Sequence, residues 1–286
     1  MPELPEVETI RRDLETKIIG HEISAVIILD DKIVQNRPRD FVKKLLNNKF
    51  IVAERRGKLL ALGLATGEYL LIHLKMTGQL IYQSHDKIIA GGHSWPRAED
   101  NFSERFTRVK IELSGGREIR FNDMRRFGYL KVVSAAEKEK IFQNNFGIEP
   151  LTPDFTWDNF SGLFAKRAIG IKSFLLNQKI ISGLGNIYAD EVCFHAGVAP
   201  TRRVDKLSER ERKKLFRCIP SVLALAIKNR GTTFNSFVDA DGKKGGFSGF
   251  LKVYGREGEK CPGCPGVIRK IRAAGRGTHY CPDCQS

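Results

Sequence analysis

The sequence predicts an α+β fold, and three observations carry that expectation. Between residues 23 and about 133, short apolar stretches rich in β-branched and aromatic residues alternate with Gly, Asn and Asp, the pattern of a β-sandwich or flattened barrel. After Pro150 the apolar spacing becomes helical. The chain then closes on two CxxC pairs.

Taken in order, Pro5 precedes Val7, Ile10, Leu14 and Ile18, which share one helix face, with Glu6 and Glu8 near its positive end. The stretches ISAVIIL, FIVAERR, KLLALGL, EYLLIHL, QLIYQ, RVKIEL, REIRF and YLKVV read as strands, with a short helix over residues 41–46. Further helices are expected over 154–167, 171–180, 187–196 and 208–229, the last opened by a capping box of Ser208 and Glu211. Residues 231–249 are rich in Gly and Lys without periodicity, a long loop of the kind that is usually functional. The expected division is a β-sandwich domain over 1–134, a linker over 135–153, a helical domain over 154–250 and a cysteine-bearing tail over 251–286.

The chain has 286 residues, more than one domain usually needs. Lys and Arg number 48 against 33 Asp and Glu, a net charge of +15 that points to a polyanionic partner. The start, MPELPEVETI, lacks the apolar core of a signal peptide, and no run approaches the ~20 apolar residues of a membrane span. A cytoplasmic, nucleoid-associated monomer is therefore expected, without membrane partners, and in that reducing compartment the six cysteines are not a disulfide framework.

Cys261, Cys264, Cys281 and Cys284 form CxxC, sixteen residues, CxxC, the spacing of a four-thiolate zinc site. Four thiolates saturate a tetrahedral ion and leave no position for substrate or activated water, so one structural zinc is expected. The intervening GVIRKIRAAGRGTHY reads as a β-hairpin presenting Arg269, Lys270, Arg272 and Arg276. Cys193 and Cys218 lie in helical patterns and read as small buried residues. Gly183 and Gly185 allow a close turn before a helix opening at Asn186, whose N–H groups would receive a phosphate. By itself that turn is equally an ordinary helix hairpin; the basic loop and zinc hairpin after it favour nucleic acid.

Along nearly its whole length the chain resembles the formamidopyrimidine-DNA glycosylases. The residues that carry this are PELPEVE at 2–8, RRGK ending at Lys58, HLKMTG at 73–78, DMRRFG at 123–128, IEPL at 148–151, GLGNIYADE at 183–191, LKVYG at 251–255 and AGRGTHYCPDC at 274–284. Two features depart from the pattern: residues 84–105 are longer and more polar, and Met124 stands where Pro or Val is usual. The resemblance implies a two-sheet β-sandwich joined to a helix-two-turn-helix and zinc-finger domain, with damaged double-stranded DNA between them. It implies a bifunctional enzyme that excises oxidised purines, 8-oxoguanine and formamidopyrimidines, and then cleaves the abasic site by β,δ-elimination.

Residue by residue, the resemblance implies that Met1 is removed and that the Pro2 amine attacks the anomeric carbon of the damaged nucleotide, giving an iminium. An α-amino group titrates near ~7.7–8.0, so about a tenth is neutral at pH 7, whereas a lysine near ~10.4 would need a large shift. Glu3 would be the general acid at the sugar ring oxygen, with Glu6 as a supporting carboxylate. Met76, Arg125 and Phe127 would fill the space left by the flipped nucleotide; a plainer reading makes Met76 and Phe127 core residues. Lys58 and Arg276, counted with the catalytic group, and His73 and Asn186, counted with the DNA contacts, would hold phosphates. The loop over 232–249 would close on the extruded base. Two other readings remain: an endonuclease VIII-type enzyme for oxidised pyrimidines, and a catalytically silent DNA-binding relative. The intact Pro2, Glu3 and Lys58 speak against the second.

Overall fold

A computed structural model of the protein describes residues 1–85, 88–92, 105–165, 167–232 and 246–286. They fall into two compact units, Met1–Phe142 with Asn229–Ser248, and Gln143–Lys228 with Gly249–Ser286. No helix among the described residues is long and apolar enough to cross a membrane.

The first unit opens with α1 (Leu4–Ile18), whose Val7, Ile10, Leu14 and Ile18 are all buried, as their spacing requires. Two antiparallel sheets follow. One holds β1 (Ile23–Ile28), β7 (Thr107–Leu113), β8 (Arg117–Asp123), β5 (Gly78–Gln83) and β6 (Ile88–Gly92), in that order. The other holds β2 (Phe50–Arg56), β3 (Leu59–Leu64), β4 (Glu68–His73) and β9 (Tyr129–Ser134). Leu62, Leu70 and Ile72 of the second sheet share one core with Leu80, Ile111 and Phe121 of the first and with α1. The short helix between β1 and β2 is α2 (Pro38–Leu45).

Register places the turns that matter. Gly78 pairs with Asp123, and His73 pairs with Tyr129. The crossings β4 to β5 and β8 to β9 therefore leave the sandwich side by side, exposing Met76 on one and Arg125, Arg126 and Phe127 on the other.

Two elements differ from the sequence reading. β6 lies inside the longer, more polar stretch 84–105, for which the sequence predicts no strand; there Gly91 faces Ile10 so closely that a Cβ would meet its side chain at 2.2 Å. α3 (Ala135–Asn145) occupies the expected linker. It has no apolar stripe to betray it. It docks through Lys138, 5% exposed, whose Nζ lies 2.6 Å from Glu54 Oε2 and 4.5 Å from the Tyr69 ring centroid.

The second unit contains α4 (Trp157–Gly162), α5 (Ile171–Leu176), α6 (Asn186–Ala196) and α7 (Glu209–Lys228), followed by the hairpin β10 (Arg269–Ala273) and β11 (Arg276–Tyr280). α4 and α5 are shorter than expected: α4 ends before a turn of Leu163, Phe164 and Ala165, and α5 ends before Asn177. The capping box of α7 is formed: Ser208 N donates to Glu211 Oε2 at 2.7 Å and Glu211 N to Ser208 Oγ at 3.3 Å. Cys193 is fully buried, and burial pushes its thiol up; Cys218 is half-buried and shifted the same way by the same cause.

Candidate functional site

The chain start is built around two carboxylates. Glu3 is the N-cap of α1, and the helix opens with a reciprocal capping box. The Glu3 side chain accepts from the Glu6 backbone, and Glu3 N donates to Glu6 Oε2 at 2.9 Å. Pro2 and Glu3 are buried and Met1 is exposed. The second oxygen of Glu6 accepts Thr232 N at 2.7 Å and Thr232 Oγ1 at 3.1 Å. Only glycine fits before Thr232, because Gly231 has φ +82 and a Cβ would lie 2.6 Å from Glu6 Oε1. Residues 233–245 of the expected closing loop, and 93–104 of the longer polar stretch, lie outside the described residues.

Glu8, expected only to favour the helix dipole, has a larger task. Its carboxylate receives Arg11 Nη2 at 3.0 Å, Arg12 Nε at 2.8 Å and Arg55 Nε at 3.1 Å. Burial works against its charge, but the bonds from Arg11 and Arg12 and the charge of Arg55 prevail and hold its pKa at about 2. Arg55 also donates to Gly57 O at 2.9 Å, tying α1 to the tight turn, with Gly57 at φ +57, that delivers the buried Lys58.

On the paired turns, Met76 is 37% and Phe127 52% exposed, so neither is a core residue. Arg125 lies over the Phe127 ring, its Cζ 4.5 Å from the centroid. Beneath them is Asp123, wholly buried. Its carboxylate accepts the Thr77 hydroxyl, Arg125 N at 3.1 Å and Gly128 N at 2.7 Å. Arg126 takes φ +58 and turns its side chain back to Asp30, 3.0 Å away. That lets Arg125 and Phe127 project together. His73 Nδ1 accepts from Lys75 N at 3.0 Å, leaving the proton on Nε2. Burial, then the charges of Lys75 and Lys58, lower its pKa to about 3, so it is a neutral donor.

In the second unit, Asn186 Nδ2 donates to Gly277 O at 3.0 Å, joining the start of α6 to the residue after Arg276. The hairpin turn has Ala274 at φ +52 and Gly275 at φ +70, the two positive angles of a type I′ turn, and leaves Arg276 exposed. A fully buried ion pair fixes its docking: Lys172 Nζ lies 2.6 Å from Asp190 Oδ1 and donates to Thr278 Oγ1 at 2.7 Å. His279 N donates to Asp190 Oδ2 at 2.9 Å. Glu191 then accepts Lys252 N, Val253 N and Tyr254 N at 2.9, 3.0 and 2.9 Å.

The four cysteine sulfurs lie within 4.8 Å of one another. Cys261 and Cys284 sulfurs are 3.7 Å apart and those of Cys264 and Cys281 3.5 Å, near the ~3.8 Å edge of a tetrahedron with ~2.3 Å zinc–sulfur bonds. Gly263 N and Gly266 N each donate to a cysteine sulfur at 3.4 Å. The donor set fits zinc. Thr77, Asp123, Lys172, Asp190 and Glu191 were not singled out from the sequence; each acts through a partner far along the chain.

Family models match three successive parts of the chain. The formamidopyrimidine-DNA glycosylase N-terminal domain matches residues 1–130, its H2TH domain residues 146–238, and a zinc finger found in FPG and IleRS residues 258–286. A formamidopyrimidine-DNA glycosylase of Carboxydothermus hydrogenoformans is 40% identical over 286 residues, all of both chains. One of Pelotomaculum thermopropionicum is 39% identical over 287 residues, 100% of this chain and 99% of that one. Among solved structures, Lactococcus lactis Fpg in complex with abasic-site DNA superposes with a TM-score of 0.87 at 32% identity, covering 99% of each chain. A mutant of that protein bound to Fapy-dG-containing DNA gives 0.88 at 33%, covering 100% of each.

Proposed function

This chain belongs to the formamidopyrimidine-DNA glycosylase family, and on that premise we propose which of its residues carry the chemistry. It is a DNA glycosylase for oxidised purines with abasic-site lyase activity, and its zinc is structural. Its partner is damaged DNA, and its working place is the nucleoid. A single copy suffices, since every residue invoked comes from one chain.

Loss of Met1 converts the Pro2 amide into a free secondary amine. That nitrogen attacks the anomeric carbon, the bond to the damaged base breaks, and the base leaves with a proton. The resulting iminium acidifies the adjacent sugar carbon, so proton loss there expels the 3′ phosphate and a second elimination the 5′ phosphate. Glu3 protonates the sugar ring oxygen as the ring opens. Glu6 holds Glu3 N and Thr232 at once, keeping the acid in place. Met76, Arg125 and Phe127 replace the flipped nucleotide in the stack. Lys58 and Arg276 meet its phosphates as cations, His73 as a neutral Nε2–H donor, and Asn186 by bringing the N-terminus of α6 to the hairpin.

The observation that carries this reading is the buried Pro2–Glu3 pair at the capping box shared with Glu6. The experiment is borohydride trapping of the mass-checked protein on duplex DNA with 8-oxoguanine opposite cytosine. A covalent adduct mapped to Pro2 is expected. An adduct at Lys58 would replace the nucleophile, and no adduct from a processed protein that binds DNA tightly would mark a silent relative.

A further inference from the structure

The first half of α7 presents a face that this chemistry does not use. Arg210, Lys213, Lys214 and Arg217 recur at helical spacing, are exposed, and line one open hollow with Glu209. Glu209 is the acid of that hollow, and its Oε1 lies 2.6 Å from Lys213 Nζ. Glu211, the other acid of the first turn, is held by Ser208 and by Arg202 at 3.4 Å. Among the described residues no carboxylate pairs with Arg210, Lys214 or Arg217.

Such an arrangement disfavours the helix: like charges at these spacings repel, and the first turns of a helix are its positive end. Aromatic packing holds it in place. Phe216 stacks on Phe155 with centroids 5.1 Å apart and planes at 13°, and meets Trp157 edge-on at 5.8 Å. Lys213 Nζ rests 5.6 Å from the Trp157 centroid. The face is thus an electropositive ledge on an anchored helix, so only its side chains lose freedom when an anion binds. Arg210 to Arg217 spans about 10 Å of helix, and that length of B-DNA carries about six phosphates.

We infer that this ledge is a second phosphate-binding surface for duplex DNA, distinct from the residues that hold the damaged nucleotide. It supplies sequence-independent affinity, either on the flank of the bound duplex or on a second duplex segment. The inference rests on the glycosylase reading, and its test separates the two.

The full-length, zinc-loaded chain carrying Arg210→Gln, Lys214→Gln and Arg217→Gln loses three charges but keeps good helix formers. On a long undamaged duplex, the slope of log affinity against log salt should fall by about 2 to 3, at ~0.9 for each phosphate no longer neutralised. Single-turnover excision from a short lesion-centred duplex at low salt should match wild type, so the catalytic reading stands or falls separately. A slope difference on the long duplex alone identifies the flank. Retention of an added second duplex by wild type but not by the variant, with the short duplex already bound, identifies a second segment. A slope change below the ~0.9 of a single phosphate in every arm, with unaltered circular dichroism, overturns the inference. So does a variant that loses binding of an acidic peptide while its DNA binding is unchanged.

Discussion

The Thr77 hydroxyl donates to the buried Asp123 carboxylate, and that bond fastens the turn carrying Met76 to the turn carrying Arg125 and Phe127. Asp123→Ala leaves the Thr77 hydroxyl and the Gly128 and Arg125 amides without their shared acceptor. The expected cost is about 2 to 4 kcal/mol in denaturant unfolding. Thr77→Ser should restore wild-type excision, whereas Thr77→Val should lower it. Equal excision by the Ser and Val variants would show that the two turns do not need the bond.

Glu3→Gln should lose removal of 8-oxoguanine yet still incise a pre-formed abasic site, because an abasic sugar already equilibrates with its open-chain aldehyde, with which the amine condenses without protonation of a ring oxygen by Glu3. Parallel gel assays on the two substrates check it. Loss of both activities in a folded variant would place Glu3 in the elimination as well.

Glu8 makes stability depend on pH. Its folded pKa of about 2 lies below the ordinary 4.5. Its contribution is therefore complete above pH 4.5 and is lost as pH falls from there towards 2. That depression corresponds to roughly 3 kcal/mol. Unfolding curves of wild type and Glu8→Gln should be well separated at about pH 7 and converge near pH 2. A gap independent of pH would assign the loss to packing.

His73 and Arg276 should separate in salt. Arg276→Ala removes a cation and should lower the salt slope of DNA binding by ~0.9, while His73→Ala should weaken binding with little change of slope. Burial and the neighbouring lysines keep the His73 pKa at about 3. Binding measured from about pH 5.5 to about pH 8 should therefore show no proton uptake that His73→Ala abolishes.

Chelation should release one zinc per chain, read with a colorimetric indicator, and DNA affinity should fall with it. The finger strands pair only over Arg269–Ala273 and Arg276–Tyr280, too little to hold a lone hairpin. Full binding by a metal-free, folded protein would refute the structural role.

What the sequence made legible was whatever repeats locally. Strand alternation, the spacing of Val7, Ile10, Leu14 and Ile18, the Ser208–Glu211 box and the cysteine spacing each announce themselves within a few residues. The motifs around Met76 and Arg125 fall on the two paired turns, where the exposure of Met76 and Phe127 removes the core reading. The supports were hidden. Thr77 and Asp123 stand 46 residues apart and Lys172 and Thr278 106 apart, so no local pattern connects them. α3 was missed because a lysine, rather than an apolar stripe, is its buried anchor.

The Lys172–Asp190 pair has a consequence for how this protein could be taken apart. Its tail bears the metal ligands, but the orientation of Arg276 is set by Lys172, Asp190 and Asn186, all supplied from upstream helices. A graft of residues 251–286 onto a foreign carrier would transfer a metal knot and leave its address behind. The transplantable piece begins no later than α5.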